Sequence, residues 1–218
     1  QGCSSCPPAD RVLSKLAKDP AFAGRMVPLA FHVDYWNYIG WQDPFSDRRW
    51  SQRQEQYAAA YGTNRIYTPQ LIVSGTDEMN GADERRVRRA IETALASKPA
   101  AEVSLVVRRE GASYVATVQA RHDGALVRDL EVWVALYQNG LSTAVGRGEN
   151  ARRTLENDSV VRRFERAFVL PAAAGSTARG ELKLMIDPAW PAANLGVAAF
   201  AQDPKTREIR GAAIRGGA

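Results

Sequence analysis

The sequence predicts an α/β first half followed by an all-β second half. Helical periodicity organises the chain as far as Ser97, and alternation of apolar and polar residues replaces it beyond Ser97-Lys98-Pro99. A third observation is chemical. The only two cysteines, Cys3 and Cys6, stand two residues apart and are followed by Pro7 and Pro8, residues that open a helix because its first turn needs no backbone N–H. With 218 residues, 45% hydrophobic and 24% charged, the chain can form one large or two ordinary domains without a covalent staple.

The formal charge of +5 is carried largely by arginines in short separate groups (Arg85, Arg86, Arg88 and Arg89; Arg152 and Arg153; Arg162 and Arg163). Such groups suit a solvated face better than a nucleic-acid footprint, so no nucleic-acid partner is expected. No apolar run approaches the roughly 20 residues that span a bilayer, so no transmembrane segment is expected. One cysteine pair with no spare thiol suits an oxidising compartment.

After the cysteines, Ala9, Val12, Leu13 and Leu16 recur at helical spacing up to Asp19-Pro20. Two thiols are thereby presented at a helix start, where free N–H groups and the helix dipole stabilise a thiolate. Cys3 is expected to be the exposed nucleophile and Cys6 the more buried resolving thiol. Three readings of the pair stay open: a redox dithiol, half of a zinc site, or a local disulfide. Zinc would need two more strong ligands, and the sequence offers only His32 and His122, far apart. A loop this short removes little chain entropy, so a purely structural bridge would be a poor stabiliser.

Met26 to Val33 is mostly apolar and of strand length, and is expected to be a buried strand delivering His32 and Asp34. From Asp34 the aromatic residues Tyr35, Trp36, Tyr38, Trp41, Phe45 and Trp50 crowd together. They fit either a satellite core or an apolar lip beside the cysteines, with Trp36 and Trp41 as substrate-binding candidates. Asp34 is a candidate proton relay for Cys6. Ser46 or Asp47 can cap a helix running to Gly62. Thr68-Pro69 then precedes the strand-like Gln70-Leu71-Ile72-Val73; the proline must sit at a strand start, where a cis peptide bond is one option. Turn residues from Ser74 to Gly81 lead to a helix from Asp83 to Ser97, with Val87, Ala90, Ile91, Ala94 and Leu95 on one face.

A helix-opening Cys-X-X-Cys-Pro followed by Thr-Pro-Gln-Leu-Ile-Val-X-Gly resembles the thioredoxin and glutaredoxin superfamily. The resemblance implies that Cys3 is the nucleophile, Cys6 the resolving cysteine, and Thr68 and Pro69 a substrate-binding cis-proline loop. Gln1-Gly2-Cys3-Ser4-Ser5-Cys6-Pro7-Pro8-Ala9-Asp10, Phe31 to Trp36 with Gly40-Trp41 and Asp43-Pro44-Phe45, and Tyr67 to Gln70 together resemble the domain of unknown function 1223 family. That resemblance covers essentially the whole chain and implies an exported bacterial protein, periplasmic or secreted, with a thioredoxin-like first half. The strand that leads into the cysteines of thioredoxins is not in the sequence, and the aromatic insertion is not part of a minimal thioredoxin.

In the second half, Val103, Leu105 and Val107, then Tyr114, Ala116, Val118 and Ala120, alternate with other residues. Leu130 to Tyr137, Val160 to Leu170, Glu181 to Ile186, Leu195 to Ala201 and Ile209 to Ile214 follow as strand candidates. Turn signals at Glu110-Gly111, Asp123-Gly124 and Asn139-Gly140 separate several of them. The polar stretches Gly146-Arg147-Gly148-Glu149-Asn150 and Thr154-Leu155-Glu156-Asn157 read as turn-forming connections, with a binding loop as the alternative.

The predicted arrangement is a thioredoxin-like domain over residues 1–98, with an aromatic-rich insertion at 34–61, followed by an antiparallel sandwich-like domain over 99–218. The expected activity is thiol-disulfide exchange through Cys3 and Cys6, with no cofactor beyond their redox-active disulfide. The partners would be protein or peptide thiols and disulfides and a separate redox partner. Two alternatives are carried: Cu(I) held by Cys3 and Cys6, and a non-catalytic interaction protein with a local disulfide.

Overall fold

A computed structural model describes residues 1–216. It is a mixed α/β protein whose sheets are mostly antiparallel. The chain divides into two compact units, one comprising Gln1–Ala96 with Asn139–Val161 and the other Ser97–Gln138 with Arg162–Ala218. The expectation of one uninterrupted second domain from residue 99 therefore differs from the observed division.

In the first unit, helix α1 (Cys6–Ala17) has Pro7 and Pro8 in its first turn and buries Val12 and Leu16. A short 3-10 turn (Asn37–Ile39) and helix α2 (Arg48–Ala60) follow. The Asp47 side chain caps α2 by accepting from the Arg49 N–H, which satisfies one of the donors a helix start leaves free. The Thr68-Pro69 peptide is cis. It leads into strand β1 (Gln70–Val73), which pairs antiparallel with β2 (Asp77–Asn80), and helix α3 (Glu84–Ala96) comes next. Val12 and Leu16 of α1, Phe22, Met79 of β2, and Val87 and Ile91 of α3 form one core. Burying one such leucine contributes about 1.5–3 kcal/mol.

Met26 to Val33 is not a strand. Ala30 makes an isolated parallel bridge to Val160, donating to Ser159 and accepting from Val161, and the run pairs no further as a ladder. Pro28, inside that run, has no N–H to extend a ladder. The stretch from Ser74 to Gly81, expected to be all turn, contains β2.

In the second unit, strands β3 (Glu102–Glu110), β4 (Ser113–Arg121) and β5 (Leu130–Gln138) precede a departure of the chain to the first unit. There it forms β6 (Leu141–Ala144) and β7 (Thr154–Asn157), an antiparallel pair. Strands β8 (Val160–Leu170), β9 (Thr177–Met185), β10 (Leu195–Gln202) and β11 (Ile209–Gly216) complete the fold. One sheet has the order β11-β10-β5-β8 and another β3-β4-β9. Leu105, Val118 and Leu184 of the three-stranded sheet share a core with Val132, Leu136, Leu170 and Val197 of the other.

Candidate functional site

Cys3 and Cys6 form a disulfide, their Cα atoms 5.5 Å apart. The Cys6 N–H donates to the Cys3 carbonyl at 3.3 Å, closing the turn that enters α1. Ser5 Oγ lies 3.2 Å from Cys3 Sγ and 3.4 Å from the Thr68 carbonyl, and its proton can serve either acceptor. The Trp36 indole N–H donates to Thr68 Oγ1 at 2.9 Å. The Ser5 and Trp36 contacts thus hold the Thr68-Pro69 loop against the cysteine turn.

The segment before Cys3 is tightly covered. A Cβ on Gly2 would lie 2.8 Å from the Trp36 Cβ, so this position has no room for a side chain. Trp41 Nε1 donates to Gln1 Oε1 at 3.2 Å, with its ring facing Gly146 and its Cβ facing Gly148. On the loop between β6 and β7, the amide of Asn150 donates to the carbonyls of Gln1 at 2.7 Å and Cys3 at 3.0 Å. The neighbouring Glu149 carboxylate accepts the Ser4 N–H at 2.9 Å.

A second polar cluster adjoins the first. His32 Nδ1 lies 2.7 Å from Asp43 Oδ2, to which the Gln1 nitrogen also donates. Burial opposes ionisation of Asp43, but hydrogen bonding and charge from His32, with the Gln1 nitrogen, overcome it and hold the carboxyl well below its usual range. Asn157 of β7 donates to Asp10 Oδ2 of α1 and accepts from Gln1 Nε2, each at 3.2 Å. Burial raises the Asp10 carboxyl, with Asp43 adding to it, against lowering contributions from His32, the Gln1 nitrogen and Asn157.

Residues 1–202 match the family described as "Protein of unknown function (DUF1223)". The chain belongs to this family. Among solved structures, the DUF1223 protein is similar to protein AGR_C_4864 from Agrobacterium tumefaciens, with 27% identity and a TM-score of 0.72 over 100% of this chain and 90% of that one. It is also similar in fold to HBP35 of Porphyromonas gingivalis, at 15% identity and a TM-score of 0.64 over 98% of this chain and 71% of that one. No match is found among curated proteins.

Of the residues singled out from the DUF1223 sequence, Cys3, Cys6, Thr68 and Trp36 share one hydrogen-bonded neighbourhood, Pro69 is buried beside them in sequence, and Trp41 joins through Gln1. Asp34 is engaged elsewhere: its backbone N–H and its carboxylate both bond the Ser51 hydroxyl of α2. The expected order of exposure is reversed. Cys3 is 3% exposed whereas Cys6 is half-buried, because Trp36 and the Asn150 loop cover the chain on either side of Cys3. Tyr38 is 82% exposed, whereas Trp36 and Trp41 bond the protein's own chain.

Sequence reasoning gave Asp10 no site role and did not place Glu149, Asn150 or Asn157 beside the cysteine segment. Glu149 and Asn150 lie in a stretch read as a turn-forming connection, with a binding loop as the alternative; the signal was a carboxylate beside an amide, without any indication of where it folds. Among the described residues no group of three or more His, Cys, Asp or Glu is arranged to hold a metal ion. Nor is any helix of the described residues long and apolar enough to cross a membrane.

Proposed function

We propose that this DUF1223 protein is an exported thiol-disulfide oxidoreductase whose first unit is a thioredoxin-like domain and whose two larger sheets form a sandwich. The observation that carries this reading is the Cys3–Cys6 disulfide at the start of α1 with the Thr68-Pro69 loop hydrogen-bonded beside it. In the reducing direction, one cysteine thiolate attacks a substrate disulfide, giving a mixed disulfide and releasing a substrate thiolate. The second cysteine then attacks the mixed disulfide, closing Cys3–Cys6 and releasing the other substrate thiolate. Two electrons pass from the pair to the substrate, and the reverse sequence passes two electrons from a substrate dithiol to the pair. Location in an oxidising compartment agrees with a single cysteine pair and no free thiol.

Access matters to which sulfur reacts first. With Cys3 buried in the oxidised protein, an incoming thiolate is directed to Cys6. Trapping tests both the activity and the order: Cys3→Ser, Cys6→Ser and the double variant are incubated with oxidised glutathione and read by intact mass. A glutathione adduct in Cys3→Ser is expected, with none in the double variant. An adduct predominantly in Cys6→Ser restores the order that the family resemblance implies. Failure of both single variants to form adducts, with failure of the native protein to exchange with a dithiol, overturns the oxidoreductase assignment.

A further inference from the structure

The start of α1 is poor in hydrogen-bond donors. Pro7 and Pro8 occupy its second and third positions and carry no N–H, and the Cys6 N–H is already bonded to the Cys3 carbonyl. The donors that remain in the Cys3-Ser4-Ser5 turn are the three backbone N–H groups and the Ser4 and Ser5 hydroxyls. One of these, Ser4 N–H, is held by a carboxylate 145 positions away, that of Glu149. The same loop fixes the turn through Asn150, whose buried amide bonds the Cys3 carbonyl. A thiolate is stabilised by nearby donors and cations and destabilised by a nearby anion.

From this geometry we infer that Glu149 sets the redox poise of the Cys3–Cys6 pair, lowering its reduction potential by occupying the Ser4 N–H and placing a negative charge beside either thiolate. The inference rests on the oxidoreductase reading for its biological meaning and goes beyond it in assigning regulation of the pair to a loop outside the cysteine motif. Glu149 is a positioning residue that acts on the turn and does not itself exchange electrons. The disulfide is neutral, so the carboxylate's repulsion is felt only once a thiolate has formed, and the oxidised state is favoured. Glu149 is exposed, so solvent screens the charge and the effect is modest.

The test is the equilibrium of native protein and Glu149→Gln with dithiothreitol and glutathione buffers, at one pH and low salt, quenched by alkylation and read by intact mass. Glutamine preserves an oxygen acceptor for the Ser4 N–H, so folding is retained while the charge is lost. The expected result is a shift toward the reduced form of roughly threefold, which is about 14 mV at 29.6 mV per tenfold. The difference should shrink in about 1 M salt, where the screening length falls to about 3 Å. Glu92→Gln on α3 serves as a charge control and should leave the equilibrium unchanged. Equal potentials for native and Glu149→Gln overturn the inference, as does an equal shift in Glu92→Gln. Since dithiothreitol can titrate even a glutathione-resistant bridge, that comparison is readable whichever way glutathione trapping falls, and the two failures stay distinct.

Discussion

The side-chain amide of Asn150 donates a hydrogen bond to the carbonyl of Cys3, 147 positions earlier in the chain. Asn150 has 0% exposure and also bonds the Gln1 carbonyl, while its own oxygen accepts from Arg153. The amide is fully used. Asn150→Ala would leave the Gln1 carbonyl without this donor, weaken the set at Cys3 and open a small void. A loss of roughly 2–3 kcal/mol is expected in urea denaturation of the oxidised protein. A loss under about 0.5 kcal/mol, typical of uncommitted surface positions, would refute the role of this contact.

Asp43 gives an acid-side prediction. Its carboxyl is depressed below the ordinary value of 3.8, so the stability it contributes is present above that value and lost as the pH falls through its lower folded value. Asp43→Asn should therefore cost roughly 3 kcal/mol at neutral pH by breaking a buried pair with His32. Below pH 3.8 the native protein should converge on the variant. Parallel stability curves from pH 7 to pH 2 would contradict the assignment.

Asp10 is the opposite case. Its carboxyl is raised, so its favourable contribution is full below 3.8 and lost as the pH rises through the folded value. Asp10→Asn keeps an oxygen for Asn157 and removes the burdened charge. The variant should match the native protein at pH 3 and melt higher at pH 7. A lower melting temperature at pH 7 would show that the ionised carboxylate is needed.

Gly211 of β11 tests the second unit independently of the cysteines. A Cβ there would fall 2.0 Å from the carbonyl oxygen of Ala101, a backbone atom that cannot swing aside. Gly211→Ala should cost roughly 3 kcal/mol or more, beyond the usual penalty for one misplaced methyl. Thermal unfolding of the purified variant measures it, and a melting temperature within a degree of native would show that the backbone at Ala101 can move away from β11 without cost.

Local patterns made part of this fold readable. Val87 and Ile91 lie on the buried face expected of α3, and Val160–Leu170 is a strand with the bounds read from its apolar run. Periodicity failed where it had too few residues to act on: β2, β6 and β7 are four residues each. Met26 to Val33 looked like a strand by composition, yet a ladder needs successive donors, and Pro28 supplies none. At the site, Cys3, Cys6, Thr68 and Trp36 could be chosen from local chemistry because helix-start and proline constraints are local. Asn150 could not, since its partner is fixed by tertiary folding alone. The buried state of Cys3 was misread for the same reason, as what covers it comes from remote loops.

The chain crosses between its two units at Ala96–Ser97, Gln138–Asn139 and Val161–Arg162. Synthesis runs from the N-terminus, so the cysteines are made before the loop that grips them. Until that loop is made, Cys3 lacks the carbonyl contact from Asn150. A gene fragment stopped after α3 would preserve this early setting permanently, encoding the cysteine motif without the loop that grips it.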